Sequence, residues 1–137
     1  MYQEYVDENS RTEYTSLMEM PLSEMLDRYS ILLLKKKRLP ENAAVDVEVA
    51  KFKAAIDAYP QKDYQKELDE LIEVNGKIWD LESDIRRGKE GELGLEEVGR
   101  RALKIRDHNA ERVQIKNAVA EKLGEFKEIK VDHASGQ

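Results

Sequence analysis

Apolar residues recur along the middle of the chain at three- and four-residue intervals, the spacing that gathers them on one face of an α-helix. Leu22, Leu26, Tyr29 and Leu33 mark a first helix, opening at Pro21-Leu22-Ser23-Glu24 with Pro in an early turn and Ser23 placed to cap. Ile31, Leu32 and Leu34 fill its other sides, so its middle is expected to be covered all round. Lys35-Lys36-Lys37-Arg38 ends it, a basic run that suits the negative end of the helix dipole and is read as a solvated last turn. Asn42 is placed to cap a second helix running to about residue 59, with Val45, Val49, Phe52, Ile56 and Tyr59 on its buried stripe and Pro60 beyond it.

Asp63 opens a third helix that ends near residue 87, and Gly88, Gly91 and Gly94 break the chain as loop glycines. A fourth helix follows from Leu95 to Leu123, closed by Gly124, and the last two helices are expected to form an antiparallel hairpin. The prediction is an all-α, four-helix antiparallel bundle over residues 22–123 with a long C-terminal helical hairpin. Residues 1–21, with scattered Tyr2, Tyr5, Val6, Tyr14 and Leu17, read as an irregular arm with at most one short strand or turn. Residues 124–137, with Phe126, Ile129 and Val131, read as a short tail folding back on the bundle.

Composition agrees with this reading. A chain of 137 residues is the size of one domain, and 38% charged residues with only 7 Gly and 3 Pro favour long helices over sheets. There is no Cys, which removes disulfides and thiolate metal sites, and only His108 and His133, so neither a metal nor another cofactor is expected. The start Met1-Tyr2-Gln3-Glu4-Tyr5 lacks a basic and then apolar leader, and no stretch approaches the ~20 apolar residues of a membrane span. A cytoplasmic protein is the expectation. A net charge of −6 opposes broad attachment to nucleic acid or anionic lipid, though a local basic pocket remains compatible with it.

The seams of the two long helices carry polar residues. In the third helix Leu68, Leu71, Asn75, Ile78, Glu82 and Ile85 alternate by three and four, and Trp79 and Arg86 widen that face. In the fourth, Leu95, Val98, Ala102, Ile105, Asn109, Arg112, Lys116, Val119 and Leu123 keep the same alternation. A lone seam Asn can serve as a register device, but an ion drawn out of water costs several kcal/mol unless paired or still wet. The set therefore either forms an internal network or lines a groove. A hairpin turning near Gly91 brings Asn75 near Asn109, and Glu82 near Arg101 and Ala102. Trp79 is either a core aromatic beside the seam or a wall for a ligand. His108 is expected to face solvent, and Ser23 and Ser30 lack the His and Asp arrangement of a nucleophile.

Three stretches carry a family resemblance: Met18 to Lys35, with Leu26, Asp27, Ser30, Ile31 and Leu32; Asn75 to Arg86, with Trp79 and Glu82; and Ile105 to Asn117, with Asn109, Arg112 and Lys116. Together with a late Glu128 and Lys130, these resemble the DUF6165 family over most of the chain, Arg28 standing where the family pattern has Lys. The resemblance implies a helical domain found in glycan and surface-polysaccharide contexts, with no assigned reaction.

Three functions compete for these residues. Asn75, Trp79, Glu82, Arg86, Asn109, Arg112 and Lys116 would bind a small anionic or hydroxyl-rich ligand such as a nucleotide sugar, Arg suiting phosphate and Asn suiting hydroxyls. Alternatively the seam only specifies helix pairing, and the protein is a structural or interaction module acting as a homodimer. The third is an enzyme like the all-α nucleoside triphosphate pyrophosphohydrolases, for which Glu67, Glu70 and Glu73 supply half of an acidic metal-binding set and the fourth helix lacks the other half.

Overall fold

The computed structural model describes residues 20–86 and 90–124, apart from the side chains of Asp84, Arg86 and Glu90. Helix α1 spans Leu22–Arg38, and Pro21 before it is extended, its carbonyl accepting from the Met25 N–H at 3.0 Å. No side chain caps α1; Ser23 is buried in its first turn and is not the cap. Helix α2 spans Ala43–Asp57, and the Asn42 side chain accepts from the Ala44 and Val45 N–H groups, as a capping Asn should. It ends two residues earlier than its apolar stripe, because the Tyr59 N–H turns back to the Ile56 carbonyl at 3.0 Å. The Tyr59 hydroxyl then donates to the Met20 carbonyl, tying the end of α2 to the start of α1.

Helix α3 spans Gln65–Arg86, so Asp63 lies outside it. Gly91 is not a loop glycine: it sits in a single turn, α4, Glu90–Leu93, which makes five helices among the described residues where four were expected. The chain turns at Gly94, with φ of 80°, into α5, Leu95–Leu123, which stops at Gly124 with φ of 70°. Both glycines hold a left-handed backbone that a side chain would strain. The arm before residue 20, Gly88 and the tail beyond residue 124 lie outside the described residues.

The protein is all-α, with no strand among the described residues. Helix α1 is the shared wall, packing on α2, α3 and α5, while α3 and α5 pack along each other. The core gathers Leu22, Met25 and Leu26 of α1, Ile56 of α2, Leu68 and Leu71 of α3 and Val119 of α5. Early α3 therefore meets late α5, the antiparallel arrangement of a hairpin. The seam of α5 holds over its second half and fails in its first at Leu95, 91% exposed, and at Ala102, also exposed, while Leu103 beside it is 55% exposed. The reason is length, since the 17 residues of α1 cannot run beside all 29 of α5. No helix among the described residues is long and apolar enough to cross a membrane.

Candidate functional site

The polar seam residues sit where α1, α3 and α5 meet, and they divide into a closed hub and an open cavity. The hub centres on Asp27, 4% exposed, which α1 presents to both long helices. The Asn75 amide donates to Asp27 Oδ1 at 3.0 Å and to Ser30 Oγ at 2.8 Å. Ser30 in turn donates to the Asp27 backbone carbonyl at 2.6 Å. Its hydroxyl is thus engaged on both sides, with no imidazole bonded to it among the described residues.

Asp27 Oδ2 faces two cations of α5, Arg112 Nε at 3.9 Å and Lys116 Nζ at 4.0 Å. Lys116 makes its close contact with Glu24 one turn earlier, at 2.8 Å. Burial pushes the Glu24 carboxyl up, but the hydrogen bond and charge of Lys116, joined by Arg28, outweigh it and hold the carboxyl below its ordinary range. Arg112 is less satisfied. Its Nε is buried and has no hydrogen-bond partner, and Arg112 also lines the cavity.

That cavity has a volume of about 400 Å³ and opens between the same three helices. Its apolar lining is Ile31, Leu34 and Ile78 with Trp79. The rest is polar, with Asn75, Ser83 and Asn109 and the charges of Lys35, Glu82 and Arg112. The volume falls within the roughly 300–1,000 Å³ range of small-molecule pockets.

Of the seven residues that sequence spacing singled out, Asn75, Trp79, Glu82, Asn109 and Arg112 share this cavity, and Asn75 and Asn109 come together as the hairpin geometry predicts. Lys116 does not line it and belongs to the hub, paired with Glu24. The side chain of Arg86 lies outside the described residues. Arg101 bonds Glu97 at 2.9 Å on its own helix. The basic run at the end of α1 is more than a solvated turn: Lys35 lines the cavity, Lys36 pairs with Asp46, and Arg38 pairs with Asp80. The Arg38 guanidinium also lies 5.4 Å from the Trp79 ring centre, a cation over an aromatic face. His108 is half-buried and meets Glu111 at 3.2 Å, where a fully solvated ring was expected.

Spacing missed Asp27, Glu24 and Ser30 as the partners of the seam cations and amide. The signal was present, since Ser23, Asp27, Ser30 and Leu34 follow a 4-3-4 spacing and are all buried. Among the described residues no group of three His, Asp or Glu side chains gathers as a metal site. Glu67 is bound by Lys122 at 2.9 Å, while Glu70 and Glu73 are exposed. No family model, curated protein or solved structure matches the chain, so the likeness to DUF6165 rests on its motif residues alone.

Proposed function

We propose that this protein is a small-molecule-binding module whose cavity between α1, α3 and α5 takes an anionic ligand. The observation that carries this reading is Arg112 at the cavity wall, a partly exposed cation whose Nε has its carboxylate partner, Asp27 Oδ2, only at 3.9 Å. A guanidinium whose buried carboxylate stands beyond hydrogen-bond distance keeps donors that an incoming acceptor can take up. Lys35 adds a second cation to the wall, and Asn75 and Asn109 add amides suited to hydroxyl and carbonyl groups. The hub behind them keeps Arg112 in place, so the closed network and the open cavity are parts of one arrangement. A thermal-shift panel of nucleotides, sugar phosphates, nucleotide sugars and carboxylates, each against matched salt, tests it. A ligand of the folded state must raise the melting temperature. A flat response to every anion in the panel would sink the reading.

Self-association is a second reading, favoured by Leu95 and Leu103, which α5 leaves exposed beyond the reach of α1. Sedimentation across the micromolar range checks it; a constant monomer mass counts against it, and a Leu103→Glu variant should dissociate any dimer.

A further inference from the structure

The cavity is more selective than a generic anion site. Among the described residues its charged lining is two cations, Lys35 and Arg112, against one anion, Glu82, a single excess positive charge. Glu82 is engaged by other groups, but its charge still acts on whatever enters. Asp27 stands 3.9 Å behind Arg112 and weakens its pull further. A monoanion matches this field, whereas a phosphate dianion or a diphosphate brings charge that the walls do not meet. The planar fork of an arginine accepts a carboxylate through two parallel hydrogen bonds. Ile31, Leu34, Ile78 and Trp79 add apolar wall that a sugar phosphate would leave uncovered.

Resting on the binding function proposed above, we infer that the ligand is a monocarboxylate with a branched aliphatic or aromatic body. Its carboxylate meets Arg112, and its body lies against Ile78 and Trp79. Arg38 holds one face of the Trp79 ring and stabilises that wall from outside. Neutral hydrogen-bonding groups on the ligand would meet Asn75 and Asn109.

Trp79 is the only tryptophan of the chain, so its emission reports occupancy of this cavity directly. The full chain is titrated with phenylacetate and 4-methylpentanoate, with their neutral amides, and with hexyl phosphate, each at constant ionic strength. A nucleotide sugar is titrated by calorimetry. Saturable emission changes are expected with both carboxylates, the amides binding at least tenfold more weakly. Arg112→Gln should abolish that preference while leaving the circular dichroism spectrum unchanged. If this variant does not fold, the ratio of carboxylate to amide affinity in the unaltered protein decides alone. Tighter binding of hexyl phosphate or the nucleotide sugar than of the carboxylates overturns the carboxylate assignment and leaves the anion-binding function standing. Equal binding of acid and amide, or no binding of any compound, overturns both.

Discussion

Asn75 and Asp27, on different helices and both more than nine-tenths buried, are joined by a 3.0 Å hydrogen bond that sets how α3 lies on α1. The second amide hydrogen of Asn75 goes to Ser30, one turn along α1, so a single side chain grips two rungs of the neighbouring helix. A slip of α3 by one turn would break both bonds and strand a carboxylate in the interior. The polar seam thus contributes specificity at a position where an aliphatic residue would contribute more packing.

Replacing Asn75 with Ala is predicted to destabilise the fold by about 3 kcal/mol, because it deprives the buried Asp27 carboxylate of its closest donor and leaves a void. Urea denaturation followed by circular dichroism measures this. The combined Asn75→Ala and Asp27→Ala variant should lose less than the sum of the two single losses, by about 1–3 kcal/mol, since the residues share one network. Strict additivity would mean that the bond does not couple the helices.

Much of this architecture was legible in the sequence, and the failures have physical causes. The Asn42 cap, the Leu95–Leu123 helix and the Gly124 stop follow from local chemistry and hold. Asn75, Asn109 and Arg112 were visible because each interrupts an otherwise apolar period. Asp27 was hidden because α1 is apolar on several sides, so a polar stripe there does not stand out from its surroundings. Which cation Asp27 would face, and that Lys116 would turn to Glu24, depend on how α5 crosses α1, which no local pattern encodes. Leu95 and Ala102 misled in the opposite direction, since a helical period says that a face is apolar and not that a neighbour is long enough to cover it.

Stability should fall in acid, in part through Glu24. Its carboxyl is held below the ordinary value of 4.5, with burial opposing and Lys116 and Arg28 prevailing. A group whose pKa is lower in the folded protein contributes stability at pH above its unfolded value, and that contribution is lost as pH falls through the folded one. Urea midpoints should therefore be level above about pH 5.5 and decline below about 4.5. The Lys116→Met variant should show a shallower decline over that window; an unchanged slope would remove Glu24 from the account.

Gly76→Ala is expected to stabilise the protein. Gly76 is buried in the middle of α3, where glycine costs about 1 kcal/mol relative to alanine. A Cβ there would meet Leu34 Cδ2 at 3.6 Å and Arg38 Nη2 at 3.7 Å, ordinary contacts that add packing without displacement. A gain of about 0.5–1 kcal/mol in urea is the outcome sought. A loss would show that Arg38 needs the open space above α3 to reach Asp80 and Trp79.

The last prediction concerns the far end of the hairpin, where Lys122 of α5 closes on Glu67 of α3. Glu67 is 4% exposed, and Lys122 Nζ lies 2.9 Å from its Oε1 and donates to the Asp63 carbonyl at 3.2 Å. The hydrogen bond to Glu67 holds the Lys122 ammonium above its ordinary value of 10.5, against a smaller opposing effect of burial. The stability it contributes is therefore fully present below that value and lost as pH rises through the folded one, so the alkaline limb of the pH profile should soften in Lys122→Met. The same substitution leaves a buried carboxylate without its cation, and it should lower the melting temperature at pH 7 more than Lys122→Met combined with Glu67→Leu does. Removing both charges exchanges an ion pair for apolar contact, whereas removing one exposes the cost of the other. If the single variant melted no lower than the double, the pair would be an ornament of the surface and not a clasp between the two helices.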